Sequence, residues 1–107
     1  MAIMSMSLNN EIGRITIIGD IDMFASKQLK QDLWNAIQNK KITHLDLDFQ
    51  DVGYIDSTGI GTMMSFIKMM RQSGVKVYVI NISGRIEITL SLAGLIKFFC
   101  GEQDAEI

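Results

Sequence analysis

The chain has 107 residues, a net charge of −2, one cysteine, one histidine and no proline. That length points to a single domain, residues 1–107, and the balance of 48% hydrophobic to 21% charged residues is that of a globular chain with a core, not a disordered one. One cysteine cannot close an internal disulfide, one His and one Cys cannot build a zinc cage, and a slightly acidic balance gives no reason to bind nucleic acid.

Residues 1–10 lack the basic start and apolar run of a signal peptide. No apolar stretch reaches the ~18 residues of a membrane span, so a cytoplasmic protein with no membrane partner is expected. The eight methionines and the mean hydropathy of +0.21 fit either an apolar core or a surface kept for a partner.

Met4, Met6 and Leu8 alternate with Ser5 and Ser7, the period of a strand. Asn9-Asn10 reads as a turn leading to Gly13, and Arg14–Ile18 is a β-branched run closed by Gly19. The two runs are close enough to form a hairpin. From Ala25 to Asn39 the period changes. Ala25, Leu29, Leu33, Ala36 and Ile37 form one apolar helical stripe, with Trp34 at its edge. Thr43–Phe49 returns to alternation, with Leu45, Leu47 and Phe49 on one face and His44, Asp46 and Asp48 on the other.

Gly53–Gly61 is a polar, glycine-containing loop, and a second helix is expected from about Thr58 to Ser73, ended by Gly74. Val75–Ile82 reads as a strand and Arg85–Leu92 as a weak helix. Leu95, Ile96, Phe98 and Phe99 form an apolar close, where Cys100 is expected to be packed. An acidic tail follows from Gly101. The order β-β-α-β-α-β-α predicts an α/β fold with one mixed sheet of four or five strands and helices packed on it.

Chemistry concentrates in Tyr54-Ile55-Asp56-Ser57-Thr58-Gly59-Ile60-Gly61, at a strand-to-helix junction. Asp56, Ser57 and Thr58 all suit an N-cap, and Gly59 and Gly61 remove side-chain bulk from the first turn. A hydroxyl at a helix N-terminus can carry a phosphate, because free N–H groups and the helix dipole favour anions; a plain N-cap serine is the simpler reading.

Enzyme readings fit worse. A nucleophile elbow needs glycine where Ile55 stands, and the chain contains no Gly-Lys pair for a Walker loop. Gly59-x-Gly61 lacks the third glycine of a dinucleotide loop. Asp20, Asp22 and Asp56 could hold Mg²⁺, or could simply cap turns.

These segments together resemble the STAS family, in particular bacterial anti-sigma factor antagonists. Gly19-Asp20-Ile21-Asp22 is similar to the family's turn after the second strand, and Ala25–Leu33 to its first helix. Asp48-Phe49, Val52 and Tyr54–Ser57 are similar to the strand and turn that carry the phosphorylation signature. Leu92-Ala93-Gly94-Leu95 with Phe98 and Phe99 is similar to the closing segment. The likeness spans roughly residues 4–99. The first helix starts without the family's frequent proline, and the first strand is unusually rich in Met.

The resemblance implies a partner switch and no catalytic role or cofactor. Ser57 would be phosphorylated by an anti-sigma factor that is itself a serine kinase. The unphosphorylated form would bind that kinase and release a sigma factor, and a PP2C-type phosphatase would restore the serine. Asp22, Asp56, Thr58, Gly59, Gly61 and, less directly, Asp48 would surround the phosphate. The alternatives are a STAS module that controls an enzyme or transporter, or one that binds a small molecule or nucleotide. On the second helix Ile60, Met63, Met64, Ile67 and Met70 are expected to face the sheet. Thr62, Phe66 and Met69 fall on another side, either as an exposed partner-binding stripe or packed within the fold.

Overall fold

A computed structural model describes residues 2–101; the expected acidic tail lies, from residue 102 on, outside the described residues. The elements are β1 (Ala2–Asn9), β2 (Ile12–Gly19), α1 (Met23–Ile37), β3 (His44–Asp51), α2 (Ser57–Gln72), β4 (Lys76–Ile80), α3 (Gly84–Leu92) and α4 (Ile96–Cys100). The sheet has four strands in the order β1-β2-β3-β4, antiparallel between β1 and β2 and parallel thereafter.

The hairpin turns at Asn10 and Glu11, one residue later than its sequence suggests, and Asn10 takes φ +58 there. A short polar side chain tolerates that left-handed conformation better than most. Alternation then decides which face is buried. Met6, Ile15, Leu47 and Val79 stand abreast across the four strands. Ile15, Leu47 and Val79 are buried in the core with Ile17, Leu45 and Val77. Leu29 and Leu33 of α1 and Met63 and Ile67 of α2 belong to the same core, all fully buried. Each such side chain contributes roughly 1.5–3 kcal/mol of transfer free energy.

Helix ends follow the capping residues. Asp22, Asp56 and Ser83 are the N-caps of α1, α2 and α3, each accepting a hydrogen bond from an N–H three residues on. Asn81, at φ +58, follows the end of β4.

The seventh element is not the last. Ile96–Cys100, expected only as an apolar close, forms α4, and a five-residue run is too short to show a helical period. Phe99 is its buried anchor, 6.4 Å from Phe49 between ring centres. Cys100, the next residue, is exposed, contrary to the expectation of a packed thiol.

Candidate functional site

Two loops at one end of the sheet are joined by backbone contacts. Ile21, between β2 and α1, forms a bridge with Ile55, between β3 and α2. The Ile21 N–H donates to the Tyr54 carbonyl at 2.9 Å, and the Asp56 N–H to the Ile21 carbonyl at 3.4 Å. This places the starts of α1 and α2 side by side.

Asp56 fixes both starts. One carboxylate oxygen accepts the Gly59 N–H at 2.8 Å, and the other accepts the Met23 N–H at 3.0 Å. Asp22 accepts the Ala25 N–H at 2.9 Å and caps α1. Both carboxylates therefore bind helix amides.

The cap of α2 is Asp56, so Ser57 is released from that duty and becomes the first helical residue. Its side chain is exposed, and its hydroxyl has no hydrogen-bond partner among the described residues. Thr58 is exposed beside it. First-turn N–H groups beyond the one taken by Asp56 remain available to an anion at Ser57.

Gly59 and Gly61 differ sharply. A Cβ on Gly59 would collide with the Ile21 carbonyl, so this glycine lets α2 approach the neighbouring loop. A Cβ on Gly61 would meet nothing within 4 Å. Only Gly59 is needed for close approach.

Ser57 borders a shallow concavity with Tyr54, Ile60, Thr89, Leu92 and Ala93. Exposed apolar side chains come both from this lining and from the start of α1, which Asp56 ties to α2. Leu92 is 85% exposed, Phe24 84%, Met23 58% and Tyr54 48%. The sequence placed Tyr54 in the signature segment and Leu92 in the closing segment, and left Met23 and Phe24 unassigned. Phe24 lies off the Ala25–Leu29–Leu33 stripe, which was the available signal that it faces outward.

Four expected site residues, Phe66, Thr62, Met69 and Asp48, are elsewhere. Phe66 is 1% exposed and meets Trp34 of α1 edge-on at 5.5 Å, so it is a packing residue between the two helices. Thr62 is half-buried and Met69 exposed, so Thr62, Phe66 and Met69 do not form a continuous exposed stripe. A charged residue at Phe66 would test the fold and not an interface.

Asp48 sits on the sheet face opposite Leu45 and Leu47. It accepts hydrogen bonds from Arg14 (2.8 Å), the Gln50 N–H (3.0 Å) and Asn81 (3.1 Å). No hydrogen bond or ion pair joins it to the Ser57 turn. Burial alone would push its carboxyl up, but these three donors and the Arg14 charge outweigh burial and hold it below the ordinary value of 3.8. A lowered pKa in the folded state means stability that is complete above the unfolded value and is lost as pH falls through the folded one. Asp48→Asn is therefore expected to lose less of its melting temperature than the parent chain on acidification from about pH 6 to pH 3, as read by circular dichroism.

The STAS domain profile matches residues 4–106, nearly the whole chain. The chain belongs to the STAS domain family. An anti-sigma-B factor antagonist of Listeria monocytogenes is 30% identical to it over 81 residues, which cover 76% of this chain and 70% of that one. The fold matches an anti-sigma factor antagonist structure from Mycobacterium paratuberculosis with a TM-score of 0.73 at 19% identity, over 92% of this chain and 83% of the other. It also matches the antagonist SpoIIAA in its unphosphorylated form, with a TM-score of 0.66 at 18% identity over 97% and 90% of the two chains. SpoIIAA in its phosphorylated form matches with a TM-score of 0.65 at 19% identity over 87% and 85%. At these identities the structural matches speak for the STAS fold alone. Among the described residues no group of three or more His, Cys, Asp or Glu side chains could hold a metal, and no helix is long and apolar enough to cross a membrane.

Proposed function

We propose that this STAS domain is an anti-sigma factor antagonist whose partner binding is switched by phosphorylation of Ser57. The observation that carries the reading is the uncommitted, exposed Ser57 hydroxyl at the start of α2, beside a cap supplied by Asp56. The names of related antagonists support the same role. In this reading the chain is a regulatory binding protein and a kinase substrate, not an enzyme. Its partners are an anti-sigma factor serine kinase and a PP2C-type phosphatase.

The docking surface is the apolar rim of Met23, Phe24, Tyr54 and Leu92, which replaces the helix-face stripe expected from the sequence. Exposed aromatic and Met side chains around one central polar group match the composition of interface cores. Thr62 and Met69 lie outside that rim.

Incubation with an anti-sigma factor kinase and ATP, followed by mass spectrometry, tests the reading. One phosphate on Ser57, absent in Ser57→Ala, is expected. Modification confined to Thr58 or to another element would overturn it. Phe24→Glu, at a position with no buried contact to lose, is expected to weaken binding of the unphosphorylated chain about tenfold or more by titration calorimetry, with an unchanged melting curve.

A further inference from the structure

We propose that β1 pairs edge to edge with the β1 of a second copy of this chain, joining two four-stranded sheets into one of eight strands. The argument begins with how differently the two sheet edges are treated. β4 is short, five residues. The Arg71 side chain donates to its Val77 carbonyl at 2.7 Å, and α4 packs against it, with the Gly101 backbone pressed on the Tyr78 ring. That edge is covered.

β1 has no such protection among the described residues. It pairs with β2 on one side, and α1 packs on its inner face. Its eight residues, Ala-Ile-Met-Ser-Met-Ser-Leu-Asn, contain no charge and no proline, and its ladder with β2 runs without a register shift. Charges, prolines, bulges and short strands are the usual means of blunting an edge, and β1 uses none of them. Alternate residues of an edge strand turn their N–H and C=O groups outward. Eight residues make that open row about 27 Å long.

The chemistry of the row selects a second copy as the occupant. A two-fold antiparallel pairing in one sheet sets residues of equal parity opposite one another. Ile3, Ser5 and Ser7 then meet only Ile3, Ser5, Ser7 and Asn9 of the other copy. Met4, Met6 and Leu8 meet only their own kind and Ala2. Whatever the register, no charge faces a like charge, and hydroxyl and apolar cross-strand pairs are favourable. The exposed Ile3 and its cross-strand neighbour Ile18, 60% and 49% exposed, lie next to the seam. Foreign strands that add to an edge are chosen by side-chain pockets along it, and a row of serines offers none. The resulting interface is isologous and closed.

Sedimentation equilibrium of the full chain over a concentration series tests this. A monomer–dimer equilibrium is expected. Ser5→Lys with Ser7→Lys, at two exposed positions, should weaken it at least tenfold by setting four lysines along the seam, while Ser5→Thr with Ser7→Thr should retain it. A parent chain that stays monomeric up to about 1 mM, or a dimer that the folded lysine variant leaves intact, overturns the proposal. Amide exchange on the parent chain needs no variant. Protection in β1 should rise with protein concentration, and protection that does not change with concentration counts equally against it.

Discussion

Gly59→Ala is expected to lower unfolding stability by about 3 kcal/mol or more, whereas Gly61→Ala should be neutral or stabilising by up to about 1 kcal/mol. The two glycines lie in the same turn of the same helix, two residues apart. At Gly59 the added methyl would overlap the Ile21 carbonyl, a backbone atom that cannot rotate away. Relief requires α2 to move off the β2–α1 loop. That movement would stretch the Ile21–Ile55 bridge and the Asp56 contact to Met23. At Gly61 the methyl meets open space, and alanine's better helix propensity is all that remains. Urea denaturation of the two variants checks the contrast. Equal stabilities would mean that the close approach of α2 to Ile21 does not hold the junction together.

Ser57→Asp is expected to weaken binding of the anti-sigma partner by about 100-fold, roughly 2.7 kcal/mol, with little change in melting temperature. Phosphoserine at the same position, with about −1.5 to −2 charges, should act more strongly. The asymmetry between fold and binding has a physical source. In the isolated domain the charge sits at a helix N-terminus, in water, where the dipole and spare N–H groups favour it. Under a docked partner the same charge would be desolvated within an apolar rim of Phe24, Tyr54 and Leu92, next to the carboxylate of Asp56. Burying an unpaired charge in that setting costs several kcal/mol. Calorimetry with the kinase, against Ser57→Asn as an uncharged control, separates charge from bulk. Equal weakening by Asn and Asp would remove the electrostatic account.

Most of the sheet and the two long helices were legible in the sequence, because β1 and β3 alternate in residue type, β2 is a β-branched run and each long helix carries one apolar stripe. The misses share a cause. Phe66 lies off the sheet-facing stripe of α2, yet α2 has a second neighbour, Trp34 on α1, and a helical wheel of one helix contains no information about another. Asp48 reads as an outward strand residue, but its three donors come from Arg14, Gln50 and Asn81, two of them more than thirty residues away. Gly59 and Gly61 are equivalent in sequence and separated only by what lies opposite them. At Ser57, the sequence offered three neighbouring N-cap candidates. The structure chooses Asp56, and that choice leaves the serine hydroxyl without a structural task.

The two hydrogen bonds that Asp56 accepts also bear on who does the chemistry at Ser57. A hydroxyl that attacks a phosphoryl group needs something to receive its proton. The nearest acid residue in sequence, Asp56, has both its oxygens engaged by the amides of Gly59 and Met23. The single histidine, His44, is bonded to Asp46 at the far end of β3. Neither residue therefore offers the Ser57 hydroxyl an uncommitted base. In the proposed switch the proton acceptor is expected from the kinase, so the rate of modification would be set by how well that enzyme seats the start of α2.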